Sequence, residues 1–244
     1  MDRQNSGMSA VFNLIKMLFF VFWVVFSTIL YGLLVLTFGL LSRKFARFVA
    51  RLWNQHLLWV GGVKISVDGL NKLGQNKRYV FIANHQSALD IPVLYAGLNQ
   101  QVSFIAKKEL FMIPIFGWGL RVIGHIWIDR GNARKAIESI KRAVMRMKKE
   151  NVSLILFPEG TRSCDGKVLD FKQGSFSLAL QAGVQVVPVA ILNSAEMLPK
   201  SSFQIRSGTI KLKICDPIDI TPEMTKADLC ARTHNMVKAA VEGC

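Results

Sequence analysis

The sequence predicts an α/β fold, with a single layered domain around a mostly parallel or mixed β-sheet, preceded by an N-terminal membrane helix pair. Two observations support this prediction. A long uncharged apolar run lies near the N-terminus. After Gly61-Gly62, short runs rich in β-branched and aromatic residues alternate with helical stretches. We therefore assign residues 1–60 to a membrane-anchoring helical segment and residues 61–244 to the domain that contains the sheet.

The apolar run extends from Met17 to Ser42 and contains no charged residue. A membrane-spanning helix needs about 20 such residues, whereas the apolar core of a cleaved signal peptide usually has only about 7–15. A re-entrant hairpin that dips into the bilayer also fits. More basic residues follow the run than precede it, which predicts a domain on the cytoplasmic side, at the inner membrane in a bacterium; they are Arg43, Lys44, Arg47 and Arg51, against Arg3 and Lys16.

The segment Arg43–Val60 is predicted to be a second, amphipathic helix. Its apolar residues recur at helical spacing beside a basic stripe; the two sets are Phe45, Phe48, Val49 and Leu52, and Lys44, Arg47 and Arg51. This pattern is typical of an interfacial helix on anionic lipid. A helix packed against the following domain fits equally well.

Six runs in the rest of the chain have the composition of strands: Tyr79–Ala83, Val102–Ala106, Ile123–Ile128, Val152–Phe157, Val184–Ile191 and Thr209–Ile214. Between them, Ala133–Lys149 has apolar residues on one helical face and is predicted to be a helix. A further apolar stretch, 111–118, is interrupted by Pro and Gly and is too short to span a bilayer. It fits a buried loop, a segment that dips into the bilayer, or the lining of an apolar groove.

The composition favours an anionic membrane lipid as a partner. The formal net charge is +15 and 51% of the residues are hydrophobic, so the chain should bind polyanions at an apolar surface. We recognise no helix-turn-helix, RNA-recognition or zinc module and expect no nucleic-acid partner. The four cysteines form no C-x-x-C pair, and we expect no metal.

The first candidate functional block is Asn84–Asp90, which follows the Tyr79–Ala83 run directly. Catalytic groups often lie on loops at strand ends. A helix beginning near Ser87, a good N-cap residue, would bring Asp90 back toward His85. The carboxylate would fix the imidazole tautomer and leave the other ring nitrogen as a general base. Taken alone, this spacing also fits a structural histidine.

Two further strand ends carry polar blocks. Phe157–Ser163 reads FPEGTRS, and Gly124–Arg130 ends in an arginine. The FPEGTRS block offers a glycine for close backbone approach and several donors for a phosphate: Gly160, Thr161, Arg162 and Ser163. Glu159 is an unusual neighbour for a phosphate and is expected to orient Arg130 or Arg162. If the three strands are neighbours, their ends should form one polar pocket.

With these blocks the chain resembles the 1-acylglycerol-3-phosphate acyltransferase family of glycerolipid acyltransferases. The first block matches N-H-x4-D, the second ends in arginine, the third matches F-P-E-G-T-R-S in full and the fourth is a short proline block. They occur in the family's order, at residues 84–90, 124–130, 157–163 and 187–189. The resemblance implies that residues 61–244 are an acyltransferase domain.

The resemblance also implies a reaction and a role for each block. A fatty acyl group would move from acyl-CoA or acyl-carrier protein to the sn-2 hydroxyl of lysophosphatidic acid, giving phosphatidic acid, with no cofactor and no acyl-enzyme. His85 would deprotonate the hydroxyl and Asp90 would orient His85. The acceptor phosphate would be bound by Arg130, Glu159, Gly160, Thr161 and Arg162, with Lys107 adding positive charge.

Three alternatives fit parts of the pattern. A related acyltransferase could act on another lysophospholipid, on glycerol 3-phosphate or on a lyso-ornithine lipid. A non-enzymatic protein that binds acidic lipid would explain the charge and the anchor, but not His85 and Asp90 beside FPEGTRS. A covalent mechanism through Ser87 is disfavoured because the chain has no G-x-S-x-G elbow.

Overall fold

The computed structural model describes residues 2–128 and 133–243, so Arg130 lies outside the described residues. The helices within these ranges are α1 Asp2–Phe38, α2 Arg43–Val60, α3 Asp90–Gly97, α4 Phe116–Ile123, α5 Ala133–Glu150, α6 Phe176–Ala182, α7 Ser194–Met197 and α8 Lys226–Glu242. The strands are β1 Val63–Asp68, β2 Val80–Ala83, β3 Val102–Lys107, β4 Ile126–Ile128, β5 Ser153–Leu156, β6 Val186–Leu192 and β7 Gly208–Ile214.

The described strands form one seven-stranded sheet in the order β1-β7-β6-β2-β5-β3-β4. Neighbouring strands are parallel except for β6 and β7, which are antiparallel. The prediction of an α/β domain with a mostly parallel or mixed sheet is confirmed. The six predicted runs all contain strands, although Ile123–Ile128 was too long. Helix α4 continues through Ile123, and Gly124, with φ of 101°, ends it before β4 begins.

Strand β1 was not identified from the sequence. It lies at one edge of the sheet, pairs only with β7, and alternates between buried or half-buried and exposed positions. Its apolar and polar residues alternate strictly, a pattern that indicates a half-buried strand, so β1 could have been found from the sequence. The central strands have apolar side chains on both faces: Phe81 of β2 belongs to the core cluster that includes α2 and α3, and Ile82 to the cluster that includes α5, α6 and α8.

Helices α1 and α2 form an antiparallel pair at the start of the chain. Val11–Phe38 is the one described segment long and apolar enough to cross a membrane. Most of its large side chains are exposed. On its inner side, the Tyr31 hydroxyl hydrogen-bonds to His56 at 3.1 Å, and the Trp53 indole N–H donates to Ser27 at 3.3 Å. The predicted helix at 43–60 is confirmed at both ends.

The basic stripe of α2 faces the domain more than the outside. Arg47 is only 7% exposed and its guanidinium pairs with Glu150, the last residue of α5. Arg51 donates to two backbone carbonyl groups after α3, at 2.7 and 2.9 Å. Only Lys44 of the three basic residues is exposed. These contacts favour the interpretation in which α2 packs on the domain. The outer side of the helix is apolar, because Phe45, Phe48 and Leu52 are exposed there.

The apolar stretch at 111–118 is partly buried and partly exposed. Phe111 is buried, whereas Met112, Ile113 and Trp118 are exposed. The stretch turns sharply at Ile115, which has φ of 63°. A single buried loop, one of the three interpretations left open, therefore does not describe it.

Candidate active site

The turn after β2 brings His85 and Asp90 together. The imidazole Nδ1 lies 2.7 Å from Asp90 Oδ2. Asp90 is fully buried, and the same carboxylate oxygen accepts the backbone N–H groups of Gln86 at 2.7 Å and Ser87 at 2.9 Å. Because an ionised carboxylate only accepts hydrogen bonds, this contact puts the imidazole proton on Nδ1. The other nitrogen, Nε2, has no hydrogen-bond partner among the described residues.

The backbone and the ring of His85 are also held in place by the FPEGTRS turn. Its peptide N–H donates to Glu159 Oε1 at 3.2 Å, and its carbonyl accepts the Ser163 N–H at 2.8 Å. Its ring stacks on Phe157. The turn carrying the histidine is therefore fixed directly to the FPEGTRS turn after β5. Parallel pairing of β2 with β5 explains this proximity, because the carboxyl ends of parallel neighbours lie at the same edge of the sheet.

Ser87 does not cap a helix as predicted. Helix α3 begins at Asp90 with Leu89 at its N-cap. The Ser87 hydroxyl instead donates to the Leu198 carbonyl at 2.7 Å and accepts the Leu89 N–H at 3.2 Å. The Ser87 hydroxyl thus satisfies one backbone N–H of the turn before α3 and ties that turn to the segment after α7. The carboxylate of Asp90 accepts different N–H groups, those of Gln86 and Ser87.

Glu159 is buried, at 2% exposed, and contacts the histidine turn rather than an arginine among the described residues. Burial raises the pKa of its carboxyl group to about 8, against the opposing effect of hydrogen bonds from the backbone of His85 and Leu169. A largely protonated, buried side chain positions the two turns. It is poorly placed to contact a phosphate directly.

The other residues of the FPEGTRS turn are more accessible. Thr161 is exposed and Arg162 is half-buried. Gly160 has φ of 76°, a conformation that favours glycine. The Lys200 ammonium donates to the Arg162 carbonyl at 2.7 Å and to Thr161 Oγ1 at 3.4 Å. The turn, which is hydrogen-bonded to the His85 carbonyl through Ser163, therefore carries a threonine and an arginine and is contacted by a lysine from the segment after α7.

Two of the remaining predicted residues lie farther along the sheet edge or outside the described ranges. Lys107 ends β3, two strands away from β2 on the same edge, and is exposed. Arg130 cannot be placed. The preceding His125 is buried and its Nδ1 accepts the Phe104 N–H at 3.1 Å; burial lowers its pKa to about 3. It is therefore a neutral core residue.

Two residues that make contacts in the site were given no role from the sequence. Asn84 exchanges two hydrogen bonds with the backbone of Ile191, at 2.7 and 2.9 Å, and so ties the end of β2 to β6. Lys200 lies outside all four blocks. Asn84 could have been found as a polar residue directly before His85, but its partner is 107 positions away. The described residues include no group of three or more His, Cys, Asp or Glu side chains that could hold a metal ion.

The fold and this site define a class of α/β proteins in which a carboxylate-oriented histidine lies beside a cationic loop at the carboxyl edge of the sheet. Comparison with known proteins gives the family within that class. The family model described as Acyltransferase matches residues 64–192. This chain belongs to that acyltransferase family, and the resemblance drawn from its blocks is confirmed.

The relatives carry a more specific name. The chain is 35% identical over 211 residues to the 1-acyl-sn-glycerol-3-phosphate acyltransferase LPAT1, chloroplastic, of Arabidopsis thaliana, which covers 85% of this chain and 57% of the relative. It is 30% identical over 192 residues to 1-acyl-sn-glycerol-3-phosphate acyltransferase alpha of Homo sapiens, covering 78% of this chain and 68% of the relative. The chain thus spans little more than half of the plant relative.

A solved structure is similar over nearly the whole chain. The crystal structure of the 1-acyl-sn-glycerophosphate (LPA) acyltransferase, PlsC, from Thermotoga maritima has a TM-score of 0.84 and 30% identity, and covers 96% of both chains. The similarity includes the N-terminal helices as well as the sheet, because so little of either chain lies outside it.

Proposed function

We propose that this protein transfers a fatty acyl group from acyl-CoA or acyl-carrier protein to the sn-2 hydroxyl of lysophosphatidic acid, producing phosphatidic acid. The observation that carries the proposal is the 2.7 Å contact between His85 Nδ1 and Asp90 Oδ2, with Nε2 directed to no other described partner. The names of the relatives support the choice of acceptor.

The reaction follows from the protonation state of the imidazole. His85 Nε2 removes the proton of the acceptor hydroxyl while the oxygen attacks the thioester carbonyl carbon. The C–S bond then breaks, and the thiolate takes the proton from the imidazolium to leave as a thiol. Asp90 stabilises the transient imidazolium and holds the ring in one tautomer. No covalent enzyme intermediate forms, and no oxidant or metal takes part.

The acceptor phosphate is bound by Gly160, Thr161 and Arg162, together with Arg130 and Lys107. Arginine can hold a phosphate through two parallel hydrogen bonds, and Gly160 allows a close approach of the backbone. Glu159 belongs to this site as a positioning residue, because its carboxyl group supports the backbone of His85.

The N-terminal segment attaches the enzyme to the membrane, with the sheet domain on the cytoplasmic side and anionic lipid at the surface. Support comes from the exposed apolar side chains of Val11–Phe38 and the net charge of +15. Exposed apolar residues of α2, such as Phe48, continue this surface.

The test is an acyl-transfer assay with the purified full chain in phospholipid vesicles, and the readout is the acylated product of each acceptor, which is phosphatidic acid for lysophosphatidic acid. The acceptors are lysophosphatidic acid, another lysophospholipid, glycerol 3-phosphate and a lyso-ornithine lipid, each with acyl-CoA and acyl-carrier protein. We expect lysophosphatidic acid to be the preferred acceptor. If another acceptor is preferred, the proposed substrate is wrong and that acceptor takes its place.

The variant His85→Ala separates an enzyme from a lipid-binding protein. It should abolish acyl transfer while vesicle binding stays unchanged, because it alters none of the exposed apolar side chains of α1 and α2. The matched control is His234→Phe, since that imidazole lies outside the site and packs edge-on against Phe171 at 4.9 Å. Full turnover by His85→Ala would reject the base assignment.

A further inference from the structure

Lys200 lies outside the four sequence blocks yet contacts the centre of the site. It follows α7, in the segment that connects this helix to β7. Its Nζ donates to the Arg162 carbonyl at 2.7 Å and to Thr161 Oγ1 at 3.4 Å. Both partners belong to the turn that binds the acceptor phosphate under the proposed function, and 38 or 39 residues of chain separate them from the lysine.

The backbone around Lys200 is fixed from several sides. The Ser87 hydroxyl donates to the Leu198 carbonyl at 2.7 Å, which joins this segment to the histidine turn. The Ser202 N–H closes a turn on the Pro199 carbonyl at 3.1 Å, and the Arg206 N–H donates to the Met197 carbonyl at 2.8 Å. A lysine held in such a frame keeps its ammonium near the FPEGTRS turn rather than exploring the surrounding solvent.

The charge at this place is uncompensated. In the described part of the chain, neither Lys200 nor Arg162 forms an ion pair with a carboxylate. The nearest acidic residue of the turn, Glu159, is buried and points to the backbone of His85. Lys200 contacts the backbone of Arg162, and a dianion bound beside these two residues would supply the missing counter-charge.

We propose that Lys200 is a positioning residue for the acceptor phosphate. It holds the Thr161–Arg162 segment in its binding conformation and adds a positive charge beside it. This proposal rests on the proposed function. Lys200, in the α7–β7 connection, would help to recognise the phosphate monoester of the acceptor and would have no role in binding the thioester.

The experiment compares steady-state kinetics of the full chain and its variants in vesicles, varying lysophosphatidic acid and acyl-CoA separately. Lys200→Met and Lys200→Gln both remove the charge, and Lys200→Arg keeps it. Each neutral variant should raise the acceptor KM about 10-fold, from the loss of charged hydrogen bonds. The acyl-CoA KM should stay within about twofold, since no contact to the donor is removed. Arginine should restore most of the acceptor affinity.

The matched control is Lys167→Met, which removes the same charge from an exposed lysine close in sequence to the FPEGTRS turn. It should leave both KM values unchanged. Equal increases of the acceptor and donor KM in Lys200→Met, or no rescue by arginine, would overturn the proposal. The wild-type rate on lysophosphatidic acid separately tests the proposed function: an active wild type with an unaffected Lys200→Met variant contradicts only the role of Lys200.

Discussion

The imidazole of His85 lies parallel to the ring of Phe157, with ring centroids 4.2 Å apart and an interplanar angle of 19°. Phe157 is the first residue of the FPEGTRS turn and in turn stacks on Phe104 of β3. The ring that should accept the substrate proton is therefore oriented by a carboxylate at its edge and by an aromatic ring on its face.

Removal of that aromatic face should slow catalysis more than it weakens binding. Phe157→Ala leaves the imidazole free to tilt about its bond to Asp90, and misplacement of this kind can cost about 100-fold in rate. We expect kcat to fall by about 10- to 100-fold with a smaller change in the acceptor KM. Phe157→Leu, which keeps part of the apolar surface, should be less affected. The control is Phe203→Ala, an exposed phenylalanine; an unchanged kcat in Phe157→Ala would contradict the role of the stack.

The carboxylate at the edge of the ring should matter more than any phosphate contact. In Asp90→Asn, the amide can donate to Nδ1 and thereby leave the proton on Nε2, where it blocks the base. We expect kcat to fall by about 10³- to 10⁴-fold. Asp165→Asn, which changes an exposed carboxylate in the loop after the FPEGTRS turn, provides the control. Similar rates for the two variants would show that Asp90 has only a structural role.

Glu159 should make stability depend on pH. Its folded pKa of about 8 exceeds the ordinary value of 4.5 because burial disfavours the charged form. The folded protein thus binds an additional proton between these values, so the free energy of unfolding should fall as pH rises from 4.5 through about 8. Below pH 4.5 the carboxyl group is protonated in both states and contributes no pH dependence.

Glu159→Gln should flatten that decline, because an amide cannot ionise but keeps a carbonyl oxygen for the His85 N–H. Chemical unfolding of wild type and variant in detergent, at intervals across this pH range, measures the effect. The exposed Glu196→Gln is the control. If the two proteins lose stability in parallel with rising pH, another group titrates.

The attachment of α2 to the sheet domain should depend on a buried ion pair. Glu150 pairs with Arg47, which is buried, and also contacts Arg43 and Arg146. Arg47→Met leaves part of this carboxylate charge unpaired, and loss of one partner of a buried pair costs about 3–5 kcal/mol. We expect the free energy of unfolding in detergent to fall by up to this amount.

Lys44→Met is the matched control, because it removes the same charge from an exposed position of the same helix. It should change stability little, since exposed charges contribute about 0–1 kcal/mol. If both variants behave alike, α2 is held by its apolar contacts with the domain and the ion pair adds nothing measurable.

Much of the fold and site could be predicted from local patterns. The two N-terminal helices, the apolar central strands and α5 follow from hydrophobic periodicity and from runs of β-branched residues. His85, Asp90 and the FPEGTRS turn were identifiable because each lies within a few residues of a strand end. Edge strand β1 was missed although its strict alternation of apolar and polar residues indicates a half-buried strand, because the prediction of strands relied only on runs rich in β-branched and aromatic residues. The cap predicted at Ser87 was wrong because a turn at residues 88–89 comes first and α3 begins only at Asp90.

What the sequence by itself determined was the α/β class, the apolar N-terminal segment and the pairing of His85 with Asp90, since all of these depend on residues close together in the chain. Only the tertiary structure decided which way Arg47 and Arg51 point, that Glu159 supports His85, and that Lys200 reaches Arg162. Each of these contacts joins residues between 38 and 103 positions apart. Such pairs are set by strand order and by the burial of both sheet faces, which no local pattern encodes.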